Sequence, residues 1–164
     1  MFRSTRRLAA LATLLVGLLL PACSRGPEGE PVTVNAREYA FEGLPGTLDA
    51  GPYSFTVANQ GSEVHELQLF RVEDAAPSSA ELQSMPDNDL LELLERVGAA
   101  SADPDDNATF DAELESGRYL AVCFVPVGTT PDEGHEGHEM EGEAHELGPD
   151  AHFRKGMSAE LTVT

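Results

Sequence analysis

Between residues 32 and 72 the chain runs in short segments whose apolar and polar side chains alternate, and turn residues interrupt them. A segment of period two hides one face and wets the other, so several in succession must bury their apolar faces against one another. Tyr53, Phe55 and Val57 alternate with Ser54 and Thr56, which predicts a half-buried strand. Leu44-Pro45-Gly46, Ala50-Gly51-Pro52 and Asn59-Gln60-Gly61-Ser62 are the turns between segments. Val32 to Phe41 is rich in Val, Tyr and Phe but changes phase near Ala36, which predicts a bulge or bend. From Val64 to Val72, His65, Leu67 and Leu69 share one face. The pattern predicts an all-β sandwich.

The middle of the chain changes period. Leu90, Leu93, Leu94 and Val97 recur at helical spacing, Asp89 with Glu92 resembles a capping box, and Gly98 can end the run. This spacing predicts one short helix over Asp89 to Val97, packed on the sandwich. A further turn of helix is expected near Ser79 to Ser84, and a loop from Ala99 to Asn107. Ala108 to Leu114 and Gly117 to Val125 read as a hairpin turning at Glu115-Ser116. Tyr119 to Phe124 is apolar on both faces, so that strand should be central. Ser158 to Thr164 alternates again, with Ala159, Leu161 and Val163 inward. Before it, residues 131–149 hold seven acids, three His, Met140 and four Gly without periodicity, a long, mobile His/Glu-rich loop.

Residues 1–22 read as an export signal. Arg3, Arg6 and Arg7 form its positive end, and the apolar stretch from Leu8 to Leu20 is shorter than a membrane-spanning helix needs. It ends in Leu20-Pro21-Ala22-Cys23, which resembles the bacterial lipobox and implies that Cys23 carries lipid and begins the mature chain. Residues 23–31 are then a lipidated tether rich in Gly, Pro and Glu, and residues 32–164 form one domain. Removing the three leader arginines takes the formal net charge from −19 to −22. So acidic a chain disfavours nucleic acid and anionic lipid surfaces and favours basic protein partners or cations.

Two cysteines are present, and lipid takes one, so Cys123 has no disulfide partner within the chain. In the oxidising compartment that export implies, a lone thiol is a liability unless it is buried or bound to metal. Three features converge on the second possibility. Gly117-x-Tyr119-x-x-x-Cys123 puts the thiol at the far end of a central strand, and His152-x-x-x-x-Met157 stands immediately before the last strand. Asn59-x-Gly61-x-x-x-His65 puts an imidazole at the start of a separate strand, in phase with core residues.

At these residues the chain resembles the cupredoxins, the blue copper proteins of the plastocyanin and azurin type. The resemblance covers roughly residues 32–164 and implies a Greek-key β-sandwich holding one type 1 copper on His65, Cys123, His152 and Met157. Thiolate and imidazole suit copper in both oxidation states, and a weak axial thioether leaves the geometry between what either state would choose. Phe124, Val125 and Leu67 are the expected apolar shell. One departure stands out: 28 residues separate Cys123 from His152, where cupredoxins place only a few. The same insert carries His135 and Met140 at the same five-residue offset, and chain reach allows either pair. His152 and Met157 are preferred because Met157 directly precedes the last strand.

The resemblance implies a one-electron carrier tethered outside the cytoplasm by lipid on Cys23, at the outer face of the cell membrane or in a periplasm. It would be a monomer with a redox protein partner that presents a basic docking patch. His135, His138, Met140 and His145 form a possible secondary metal site in the insert, which leaves copper capture or delivery open as another role. A metal-free interaction domain with Cys123 buried is the third reading. His135-Glu136-Gly137-His138 lacks the spacing and helix of a zinc protease, and no nucleophile elbow, phosphate loop or nucleotide fingerprint occurs, so nothing suggests an enzyme.

Overall fold

Val32, Val34 and Ala36 turn inward from the first strand while Thr33 lies outward, so period-two burial organises the fold from its start. A computed structural model describes residues 29–73, 76–131 and 148–164. Its strands are β1 (Glu30–Arg37), β2 (Ala40–Glu42), β3 (Thr47–Leu48), β4 (Gly51–Asn59), β5 (His65–Val72), β6 (Leu94–Ala102), β7 (Asn107–Leu114), β8 (Gly117–Val122) and β9 (Ser158–Val163). Two short helices, α1 (Ser79–Leu82) and α2 (Asp87–Glu92), lie between β5 and β6, and a 3-10 turn over His152–Lys155 precedes β9. The strands form a four-stranded sheet in the order β2-β1-β4-β7 and a five-stranded sheet in the order β3-β9-β8-β5-β6. The β1/β4 and β3/β9 pairs are parallel and the others antiparallel.

One apolar core lies between the sheets, where Val34, Phe55 and Val57 meet Leu67, Leu69 and Leu161. A second cluster covers the other face of the five-stranded sheet: Phe70, Val72, Leu120 and Val122 pack against Leu82 of α1, Leu90 of α2 and Phe153. The helices therefore make β5 and β8 two-sided, which is why Tyr119 to Val122 carries no charged side chain. Burying a side chain as large as Phe153 is worth about 1.5–3 kcal/mol, and Phe153 is fully buried.

The bend expected near Ala36 is a reversal: β2 folds back on β1, pairing Ala36 with Phe41. The predicted helix over Asp89 to Val97 is corrected. Helix α2 begins two residues earlier and ends at Glu92, while Leu94 to Ala102 is strand β6, including residues expected in a loop. A helix of that length is marginal alone, and pairing with β5 from His65 to Val72 satisfies the inward side of β6, the edge strand of its sheet. Gly98 stops nothing. A Cβ there would lie 2.6 Å from Cε2 of Phe110, so glycine admits that ring. The capping box belongs to Ser78 and Glu81 on α1.

The predicted hairpin is corrected too. Strand β7 pairs with β4 and β8 with β5 and β9, so Glu115-Ser116 carries the chain from one sheet to the other. Two-sided burial of β8 is available only within the helix-covered sheet. Tyr119 secures the crossing, its hydroxyl donating to the Glu115 carbonyl (2.8 Å) and accepting from the Glu115 N–H (3.1 Å), as a tyrosine corner does.

Candidate metal centre

Three adjacent strands of one sheet deliver three side chains to one pole of the sandwich. His65 opens β5, Cys123 follows the last residue of β8, and His152 opens the 3-10 turn that leads into β9. All three are wholly buried. Their ligand atoms all lie within 4.8 Å of one another. His65 Nδ1 stands 3.1 Å from His152 Nδ1, and Cys123 Sγ stands 3.3 Å from His152 Nδ1.

Local sequence explains each placement. Asn59 ends β4 and is nearly buried; its Nδ2 donates to the carbonyls of Glu63 and Ala102, both at 2.8 Å, and its Oδ1 accepts from the Gly61 N–H at 2.9 Å. These bonds shape the turn that presents His65. The 28-residue excursion between Cys123 and His152 closes at its base. Phe153 N–H bonds to the Cys123 carbonyl (2.7 Å), His152 N–H to that of Val125 (2.9 Å) and Val127 N–H to that of Asp150 (2.9 Å). Pro126 also bridges to Ala151. A long insert thus leaves and re-enters at neighbouring points, and His152 returns beside Cys123. Met157 is fully buried in the same core cluster as Cys123. Its carbonyl accepts from the Cys123 N–H (3.3 Å) and its N–H donates to the His152 carbonyl (3.0 Å).

Electrostatics leave the site short of positive charge. Burial pushes the Cys123 thiol up to about 12, against the N–H groups of Glu66 and Val125 that point at its sulfur. The Glu66 N–H lies 3.4 Å from Sγ. Burial, and for His65 also the facing His152, lowers both histidines, so both rings are neutral at pH 7. His152 Nε2 stands 3.0 Å from Glu63 Oε2, and His65 Nε2 stands 3.5 Å from Glu38 Oε1. The Glu63 acceptor places the His152 proton on Nε2 and leaves that ring's lone pair on Nδ1, whereas His65 Nε2 is buried without a hydrogen-bond partner among the described residues. The Nδ1 atoms of both rings and the sulfur thus face one another in a fully buried pocket. Ligands at about 2.0–2.3 Å around one ion sit roughly 3.4–3.8 Å apart, close to the spacings found. The donor set fits a single soft or borderline cation.

Glu38 and Glu63 escaped the sequence reading, although both flank residues it used. Glu38 tips the β1–β2 reversal and accepts from the backbone N–H groups of Ser62 and Glu63. Those bonds outweigh its burial and draw it down to about 2. The Tyr39 ring lies 5.0 Å from that of His152. Of the expected apolar shell, Leu67 and Val125 belong to the core around Cys123. Phe124 does not: it packs on the other cluster, beside Phe70 and Phe153, because side chains alternate across the strand. Cys23, His135, His138, Met140 and His145 lie outside the described residues, as do the export signal and most of the tether and insert.

The whole sandwich overlays on a known structure. The dithionite-reduced auracyanin of the photosynthetic bacterium Roseiflexus castenholzii overlays with a TM-score of 0.52 at 14% identity, covering 84% of this chain and 98% of that one. The chain has the cupredoxin fold. Auracyanin B overlays with a TM-score of 0.48 (20% identity, 82% of this chain and 88% of that one). Auracyanin A of Chloroflexus aurantiacus, a "blue" copper protein, overlays at 0.44 (17% identity, 82% and 100%). No protein-family model and no curated protein sequence matches the chain. Two features stand outside the strands of this sandwich, the helices over one sheet and the long connection before the last strand. No helix among the described residues is long and apolar enough to cross a membrane.

Proposed function

We propose that the protein is a type 1 copper electron carrier, exported and tethered outside the cytoplasm by lipid on Cys23. The observation that carries this reading is the buried meeting of two imidazole Nδ1 atoms and one thiol sulfur within 4.8 Å. A His2Cys set with a nearby thioether selects copper over harder ions. His65, Cys123 and His152 would hold it, and the buried Met157 would supply a further, weak thioether ligand. Bound copper supplies the one-electron couple. The chain's own residues do the rest. The Glu66 and Val125 N–H groups steady the sulfur, and the fully buried pocket excludes water. Hanging all three side chains on neighbouring strands limits how far they move between oxidation states. The formal charge of −19 supports a partner with a basic docking patch, which speeds encounter without fixing affinity. A small monomer at the membrane surface suits that role.

The test is spectroscopic. Protein lacking residues 1–23, loaded with Cu(II), should show an intense visible thiolate band that Cys123→Ala removes and His152→Ala removes or shifts. A colourless protein whose thiol titrates freely after loading would overturn the reading. Deleting residues 131–149 should leave both the band and electron transfer intact; loss of electron transfer with that deletion would give the insert the principal role instead.

A further inference from the structure

The outer nitrogen of His152 meets the Glu63 carboxylate within hydrogen-bond distance, while that of His65 has the Glu38 carboxylate near it as a charge but no hydrogen-bond partner among the described residues. Glu63 Oε2 lies 3.0 Å from His152 Nε2 and accepts from the Gly128 N–H at 2.5 Å. Its other oxygen lies 3.5 Å from the Tyr39 hydroxyl. Three groups from three segments therefore clamp this one carboxylate. Glu38 Oε1 lies 3.5 Å from the buried His65 Nε2 and is anchored by the Ser62 and Glu63 N–H groups. The side chains of Glu63 and Glu38 are only 19% and 31% exposed, so solvent and salt screen their charge incompletely. His152 itself has no exposed surface, so its outer edge meets Glu63 rather than water.

We infer that Glu63, seconded by Glu38, is a positioning residue that sets the redox balance of the centre through the ligand imidazoles; the inference rests on the copper reading above. A carboxylate that accepts Nε2–H fixes the ring's tautomer and orientation and makes Nδ1 a more basic donor. It also adds negative charge one ring away from the ion. Both effects favour the doubly charged cation over the singly charged one. Copper(II) is held more tightly relative to copper(I) than the same ligands would manage with water at their outer edge. Glutamine at position 63 keeps an acceptor for the ring but removes the charge, so Glu63→Gln separates charge from orientation.

Two measurements test this. In the loaded protein, the dissociation constants of Cu(II) and Cu(I) and the midpoint potential are compared for wild type, Glu63→Gln and Glu113→Gln. Glu113 is an exposed acid on β7 paired with Pro52, at the opposite end of the sheet from Asn59. In Glu63→Gln, Cu(II) should bind about tenfold or more weakly with Cu(I) changed much less. The potential should then rise by about 59 mV for each tenfold change in the ratio of the two constants. Glu113→Gln should leave the ratio unchanged. In the copper-free protein, the ring nitrogens of His152 should report a single Nε2–H tautomer in wild type and a mixture in Glu63→Leu. A blue wild type whose Glu63→Gln ratio stays within about twofold, or a His152 tautomer indifferent to residue 63, overturns the inference and leaves the copper centre standing. A wild type that never turns blue overturns the copper reading instead, while the tautomer measurement still reports on Glu63.

Discussion

Asn59→Ala should damage the centre without touching a ligand. The side chain is 3% exposed and makes three hydrogen bonds, to the Glu63 and Ala102 carbonyls and from the Gly61 N–H. Each such bond is worth about 0.5–1.5 kcal/mol net. Alanine also strands two carbonyl oxygens and one N–H, which the loosened turn can partly rehydrate. A loss of about 2–4 kcal/mol follows for the copper-free domain. At roughly 3–5 °C per kcal/mol for a domain of this length, the melting temperature should fall by about 6–20 °C. The loaded protein should fall further, because a turn that no longer presents Glu63 and His65 binds the ion less tightly, and every tenfold weakening removes about 1.4 kcal/mol of ligand-linked stability. Thermal unfolding by circular dichroism, with and without copper, reads both effects. Asn107→Ala, on an exposed residue at the start of β7, is the control and should change stability by no more than about 0.5 kcal/mol. If Asn59→Ala melted within about 2 °C of wild type and bound copper equally well, the turn would not depend on this side chain.

Other outcomes follow from the same geometry. Copper-free protein should be most stable between about pH 7 and 9. Both buried histidines titrate below their ordinary 6.5, so the unfolded chain takes up protons first and stability falls as pH drops below that value. Cys123 titrates near 12 rather than 9.0, so the unfolded chain loses its proton first and stability falls again as pH rises above 9.0; urea midpoints across pH check both limbs, and a flat profile would contradict them. Loading Cu(II) near pH 7.5 should release about one proton per ion, from Cys123, as read by calorimetry in buffers of different ionisation enthalpy. Cys123→Ala should release none. Gly61→Ala should keep the fold but shift or abolish the thiolate band, because its Cβ would stand 2.7 Å from His65 Nε2 and press on the Glu38 carboxylate; an unchanged spectrum would show that Glu38 and His65 yield freely.

The strands with one wet face were legible, since Tyr53, Phe55 and Val57 alternate whatever their partners do. The segment from Leu90 to Val97 was not, because four apolar residues at helical spacing serve a short helix and a strand edge equally well, and only the open side of β5 decides between them. Likewise only two residues separate Leu114 from Gly117 whether the chain turns back or crosses over; the choice depends on helices that bury the outer face of β8. His65, Cys123 and His152 could be proposed because thiol and imidazole are rare and chemically specific in this chain. Glu38 and Glu63 could not, since acids are abundant here and only the folded positions bring these two to a histidine ring. The one local signal is that Glu63 lies two residues before His65, on the turn that carries it.

The backbone rungs from Cys123–Phe153 out to Val127–Asp150 have a consequence for how the chain can change. Lengthening a connector from about four residues to 28 is roughly three doublings, an entropic penalty of about 2 kcal/mol. Rungs at the neck of the excursion offset much of that and make the pole indifferent to what lies beyond. New ends introduced between residues 131 and 148, by proteolytic nicking or by circular permutation, should therefore leave the two halves associated. The excursion is thus a cassette that selection can lengthen, replace or load with new chemistry while the pole of His65, Cys123 and His152 stays as it is.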